Sequence, residues 1–387
     1  MTQIRLLQEA NVPSTHALII GVGYYKHLRG GPHEGVHLGL NVLESPPASA
    51  LQLARWMIGS NDAETGLNNP SAPLATIEVL VSSRQNEFLQ AAGATHAIES
   101  ASLPAVQQGF DRWLKEVQRH PGNVGVIYFC GHGIMGDGPE HILLLDDHGS
   151  SSNRPFQTGS FDLSNTVRAL WRKVEAQLYI FVDACRTFDR GVGESMAARP
   201  QPLLAGGASS ANINRGTTLI ESTGEGLPAY GDVNGVSRFT EALLQALNGY
   251  CGVQRPGTHT WLVNGSALSQ AVPKLLSVVN RDRGGESQAC APHPSGAIDA
   301  PLHVIAQAPK VIVEIELTPE AQRPLSSYEI HSLIDATLPP IKGGSVAGVW
   351  RTEADKGMYE VRIASKTPCV ISGQFFDPPH YHLPVEV

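Results

Sequence analysis

Tyr179-Ile180-Phe181-Val182-Asp183-Ala184-Cys185-Arg186 is a short apolar run that ends in an acid and a thiol, and its reading decides the fold. A second run of the same kind, Gly125-Val126-Ile127-Tyr128-Phe129, leads into Cys130-Gly131-His132-Gly133, with residue 132 lying 53 positions before residue 185. Uninterrupted apolar runs of this length suit strands buried on both faces of a parallel sheet. Two such strands side by side deliver a thiol and an imidazole to one carboxyl edge, where α/β sheets carry their sites.

The neighbouring sequence fits that sheet. Ala17 to Gly23 is a further apolar run, expected as a central strand, and residues 24–47 turn to Gly, Pro and His as a long loop. Helical spacing follows over 48–58, a strand over 75–81, and an amphipathic helix over 105–117 with Val106, Phe110, Trp113, Leu114 and Val117 on one face. A helix at 163–174, the strand at 177–182, a fifth strand at 217–222 and helices at 239–247 and 265–279 continue the alternation. This predicts an α/β fold with a mostly parallel sheet of about six strands flanked by helices, over residues 12–300. Residues 186–215, rich in Gly, Ala, Ser, Pro and Arg, read as a flexible linker between a large half ending near 185 and a small half over 216–300. The Gly/Ser/Pro stretch at 281–301 reads as a domain boundary. Beyond it, residues 305–387 read as a small β-rich module with strands at 311–317, 358–363 and 369–375 and no chemical motif.

Composition narrows the function. In 387 residues, 42% hydrophobic and 17% charged content describe a folded protein, and a net charge of −8 argues against a nucleic-acid or anionic-membrane partner. Five cysteines without CxxC pairs or metal-ligand spacing to histidines fit a reducing compartment. With no signal-like N-terminus and no stretch of 18 apolar residues, a soluble cytoplasmic protein is expected.

A thiol with a pKa near 8.5 is a few per cent ionised at neutral pH, and an imidazole in reach both raises that fraction and protonates a leaving amine. Cys185 and His132 are the candidates. Glycines on both sides of His132 read as room for a substrate backbone, and the N–H groups of Gly133 and Cys185 as donors to an oxyanion. Cys130 reads as a packing thiol, and Asp146 and Asp147 as turn residues, with calcium the alternative. No other cofactor is expected. His27, His33, His37 and His141 read as surface or substrate-cleft residues.

Tyr128-Phe129-Cys130-Gly131-His132-Gly133 and Val182-Asp183-Ala184-Cys185-Arg186 resemble the histidine and cysteine motifs of the caspase family in its broad sense, which includes metacaspases and bacterial caspase-like peptidases. The histidine about 50 residues before the cysteine is a recognised signature of caspases. Ala17 to Gly30, Ile142 to Asp147 and Ser222-Thr223-Gly224 are similar to further family segments, so the resemblance spans residues 12 to 285. The chain departs from the family at residues 31–45, an insertion before the first helix. The resemblance implies a caspase-haemoglobinase-like fold and a cysteine endopeptidase. It implies also that residue 183, two before the nucleophile, lines the pocket for the side chain preceding the scissile bond. Metacaspases carry Asp there and prefer basic residues, and Glu225 matches their second pocket acid. Two acids favour bidentate capture of Arg over Lys. The expected partners are therefore proteins or peptides with Arg or Lys before the scissile bond, in a bacterial stress or antiphage defence setting. Arg190 and Arg215 are candidate processing sites, cut by the enzyme itself or by an upstream activating protease, whereas Arg199 precedes Pro200. The alternatives are an idle scaffold presenting the C-terminal module to a partner and a thiol enzyme acting on a small molecule.

Overall fold

Apolar residues with no polar alternation can be satisfied only by cover on both faces, and the central strands have it. In the computed structural model, which describes residues 3–7, 12–35, 39–59, 66–135, 140–151, 156–185, 199–206, 215–223, 235–285 and 287–387, every residue of Thr15–Val22, Leu74–Ser82, Val124–Cys130 and Gln177–Asp183 is buried. The chain forms two compact units, Met1–Leu244 with Asn264–Val304, and Gln245–Val263 with Ile305–Val387.

The first unit is built on a seven-stranded sheet, one strand more than the sequence suggests. In chain order its strands are β1 (Gln3–Arg5), β2 (Thr15–Val22), β3 (Leu74–Ser82) and β4 (Val124–Cys130). A small three-stranded sheet of β5 (Gly133–Met135), β6 (His141–Leu144) and β7 (Ser160–Asp162) intervenes. The main sheet then resumes with β8 (Gln177–Asp183), β9 (Gly216–Glu221) and β10 (Ala291–Gly296). The spatial order is β1-β3-β2-β4-β8-β9-β10. The five inner strands are parallel and the two edge strands antiparallel.

Five helices of this unit are described: α1 (Ser45–Ile58), α2 (Leu103–Val117), α3 (Leu163–Lys173), α4 (Arg238–Gln245) and α5 (Gly265–Arg283). Their ends follow local chemistry. Pro46 and Pro47 open α1, and Gly59, at φ 74°, closes it in the left-handed conformation. Asp162 caps α3 by accepting from Asn165 N–H (2.8 Å), and Asn264 caps α5 by accepting from Ala267 N–H (2.9 Å). α1 and α2 cover opposite faces. Gly21 on β2 faces Ala50 of α1, whereas Gly109 of α2 faces Leu18 and Leu80, and strand parity puts residues 18 and 21 on different sides.

Residues 281–301, expected as a boundary, carry β10 instead. Within the expected flexible linker, residues 199–206 are packed down: Asp162 N–H donates to Gln201 O (3.2 Å), Leu203 N–H to Thr166 Oγ1 (3.0 Å), and Leu203 and Leu204 pack against the core.

In the second unit, β11 (Lys310–Thr318), β12 (Ser327–Ser332), β13 (Ile341–Gly344), β14 (Trp350–Asp355), β15 (Gly357–Ala364), β16 (Cys369–Phe376) and β17 (His380–Glu386) form two sheets, β14-β11-β17 and β13-β12-β15-β16. They share one core that includes Val313, Ile315, Tyr328, Trp350, Val361 and Phe376. Among the described residues, no helix is long and apolar enough to cross a membrane.

Candidate active site

β2 connects outward to β3, and the chain then returns to place β4 on the other side of β2. Such a reversal opens a crevice at the carboxyl ends of the strands. β4 and β8 are parallel neighbours in register, with Cys130 opposite Asp183, and Gly131 N–H extends the ladder to Asp183 O (3.1 Å). Residues 132 and 185 therefore leave adjacent strand ends at matching positions, the juxtaposition expected from the sequence.

His132 is buried, and its ring orientation is fixed. Nε2 lies 2.6 Å from Asn41 O. A carbonyl only accepts, so Nε2 carries the proton and Nδ1 is the basic nitrogen. Burial pushes the imidazole down to about 4, the Asn41 carbonyl opposing that shift, so the ring is neutral at pH 7 and able to take a thiol proton. Asn41 is itself held by the loop after β2: Leu43 N–H donates to Gly23 O (2.8 Å), Val42 N–H to Arg29 O (3.1 Å) and Arg29 N–H to Leu40 O (3.3 Å). Tyr25, fully buried, accepts from His132 N–H at 2.7 Å, and its ring lies 5.0 Å from the imidazole. Asn41 escapes sequence reasoning because it acts through its backbone.

The glycines flanking His132 do not open space for a substrate, as expected from sequence; protein atoms crowd both. A Cβ on Gly131 would lie 2.8 Å from Tyr25 Oη, and one on Gly133 2.5 Å from both Cys185 O and His141 Nε2. Leu144 N–H donates to His132 O (3.0 Å), which makes 132 and 144 a hydrogen-bonded pair of the β5–β6 ladder. By alternation Gly133 and Leu143 are a non-hydrogen-bonded pair, so Gly133 N–H turns away from β6.

Asp183 is buried, and Oδ2 accepts from Ser237 Oγ, Thr240 Oγ1 (3.2 Å) and Cys130 Sγ (3.4 Å). Desolvation raises its pKa, with these hydroxyl and thiol donors pulling against it. Among the described residues none of its hydrogen-bonding partners is a cation. Cys130 is a buried thiol whose pKa burial, then the Asp183 charge, raises well above the usual value. Glu225 and Arg190 lie outside the described residues. Arg215 is exposed, but its N–H donates to Glu175 O (3.2 Å) and its carbonyl accepts from Ala297 N–H (2.7 Å), so cutting after it requires local opening.

His141 corrects the sequence expectation of a surface or cleft residue. It is 1% exposed, with Nδ1 2.7 Å from Glu221 Oε1 and Nε2 3.1 Å from Cys185 O. Asp146 pairs with Lys26 (3.2 Å) and accepts from Ser82 Oγ (3.2 Å), and Asp147 Oδ1 accepts from Leu103 N–H (2.9 Å) at the start of α2. Among the described residues no cluster of three His, Cys, Asp or Glu side chains could hold a metal ion.

The chain is 29% identical over 308 residues to the uncharacterized protein y4kE of Sinorhizobium fredii, covering 75% of this chain and 86% of that protein. Similar solved structures include protein GSU0716 from Geobacter sulfurreducens (13% identity, 74% of this chain and 94% of that one, TM-score 0.44). Caspase-1 from Spodoptera frugiperda is another (13% identity, 74% and 88%, TM-score 0.41). The family profile described as Caspase domain, Peptidase_C14, matches residues 14–266. With well over half its length matched and a thiol and an imidazole at the ends of adjacent parallel strands, the chain belongs to the caspase-domain family.

Proposed function

We propose that the protein is a cysteine endopeptidase that cuts after basic residues, Arg in preference to Lys. Cys185 Sγ attacks the scissile carbonyl, His132 Nδ1 takes the thiol proton and passes it to the leaving amine, and water then hydrolyses the thioester with His132 as base. The observation that carries the reading is the in-register pairing of β4 and β8, joined to the tautomer that the Asn41 carbonyl imposes on His132.

The leaving amine belongs beside His132 and the acyl group beside Cys185. The strand order then sends the product-amine side of a substrate toward β2 and β3. A cleft of ≈ 540 Å³ lies there, lined by Tyr24, Val42, Leu43, Pro47, Arg55 and Arg84 among others. That space supports an extended chain on the leaving side and favours an endopeptidase over a small-molecule thiol enzyme.

Basic specificity rests on Asp183 together with the metacaspase resemblance. A buried carboxylate with hydroxyl donors but no cationic partner among the described residues gains most from an arriving guanidinium. A role in regulated proteolysis, such as a bacterial stress or antiphage response, follows from the resemblance, as does processing of the linker.

The test is a panel of fluorogenic peptides with Arg, Lys or Asp before the bond, with and without calcium. Turnover in the order Arg over Lys, none for Asp, and loss of turnover in Cys185→Ala and His132→Ala are expected. Turnover of the Asp peptide alone overturns the specificity, and full turnover by Cys185→Ala overturns the mechanism.

A further inference from the structure

The two peptide groups that flank the Cα of Cys185 are held by side chains outside the histidine and cysteine motifs, with Ala184 O also accepting from Ser222 Oγ at 3.5 Å. Thr223 Oγ1 donates to Ala184 O at 3.0 Å, and His141 Nε2 lies 3.1 Å from Cys185 O. Thr223 is fully buried, and so nearly is His141. Glu221, at the end of β9, stands behind His141 with Oε1 2.7 Å from Nδ1, while its Oε2 faces His293 Nε2 at 3.3 Å.

The proton positions follow from the acceptors. Cys185 O cannot donate, so His141 Nε2 bears hydrogen, and Nδ1 shares a hydrogen with Glu221 Oε1.

A planar trans peptide carries its C=O and N–H in opposite directions. Fixing Ala184 O by Thr223 therefore aims Cys185 N–H, one of the two donors assigned to the oxyanion. Fixing Cys185 O by His141 sets the direction in which the chain leaves the nucleophile. The space between these groups is closed, because a Cβ on Gly133 would strike both Cys185 O and His141 Nε2. Thr223 and Glu221 come from the half of the unit that follows the 186–215 linker, whereas His141 comes from the half before it.

We propose that Thr223 and the buried His141–Glu221 pair are positioning residues that clamp the two peptides around Cys185, so that the second half of the fold aims the oxyanion donor and nucleophile supplied by the first. The proposal rests on the peptidase reading, but half of its test does not.

Two rates separate the roles. Peptide turnover needs the thiol and the oxyanion donors, whereas alkylation of Cys185 by iodoacetamide needs only the thiol. Thr223→Val keeps the shape of the side chain and removes the hydroxyl. It is expected to lower kcat by about tenfold or more with KM and the alkylation rate unchanged, and Thr223→Ser is expected to restore most of the loss. Glu221→Gln and His141→Gln are expected to slow Cys185 alkylation at pH 7 by about fivefold, beyond any change in thermal stability, because loosening the hold on the Cys185 carbonyl lets the thiol leave its fixed direction.

Thr223→Val with wild-type kcat, or with turnover and alkylation reduced equally and no rescue by serine, overturns the Thr223 part. Wild-type alkylation rates in folded Glu221→Gln and His141→Gln overturn the pair. A wild-type enzyme that alkylates at Cys185 but cuts no peptide overturns the peptidase reading, and the alkylation comparison still decides the His141–Glu221 part of the clamp.

Discussion

A methyl group at residue 133 has nowhere to go, with Cys185 O and His141 Nε2 each 2.5 Å from its position. Gly133→Ala must displace one of them, and the expected outcome is a folded protein whose peptide turnover falls by about 10²-fold, read by steady-state kinetics beside near-ultraviolet circular dichroism. Asp183→Asn tests the carboxylate proposed for specificity: it keeps the hydrogen-bonding shape toward Ser237 and Thr240 and loses the charge. Turnover of Arg peptides is expected to fall by about 10²-fold or more with a melting temperature close to wild type; an unaltered preference for Arg would remove Asp183 from recognition. Cys185 and His132 stand out in the sequence because the proposed chemistry belongs to their side chains. Asn41 was not, since a backbone carbonyl can be supplied by any residue. His141 was misread because an isolated histidine in sequence gives no sign that a strand 80 positions later brings Glu221 to meet it.

At the scale of elements, legibility followed burial. The inner strands β2, β3, β4, β8 and β9 could be read from apolar runs, each within two residues of its observed ends. β10 could not, because Ala291-Pro292-His293-Pro294-Ser295-Gly296 reads as a turn-rich connection. As an edge strand with one neighbour it tolerates those prolines: spaced two apart, they turn the side that lacks N–H groups to the open edge and leave the alternate residues to pair with β9. The packing of α2 on the sheet offers a sharper test. Glu78 on β3 is 1% exposed, and both its oxygens accept from Arg112 of α2 at 2.9 Å. Burial raises the Glu78 pKa against the pull of that guanidinium. Arg112→Met strands a buried carboxylate, and a loss of about 3 kcal/mol in chemical denaturation is expected. The double variant Glu78→Leu/Arg112→Met is expected to recover most of it.

Across the whole molecule, His16, His132, His148 and His303 share one titration behaviour: burial lowers each from 6.5 to about 4. Between those values the unfolded chain binds protons that the native chain refuses. Stability is therefore intact above pH 6.5 and falls as the pH drops toward 4, by up to about 1.4 kcal/mol per pH unit for each histidine. Denaturation midpoints measured from pH 7.5 to 4 check this, and a flat profile would show that the four rings accept protons without unfolding.

The path of the chain between the two units has a genetic consequence. The polypeptide passes from one to the other at residues 244/245, 263/264 and 304/305. Residues 245–263 thus lie between two segments of the first unit yet belong to the unit completed by residues 305–387. A stop codon after Val304 removes the β sandwich and leaves the inserted segment 245–263 without the rest of its unit. Moving the second unit whole into another chain therefore requires residues 245–263 to travel with residues 305–387.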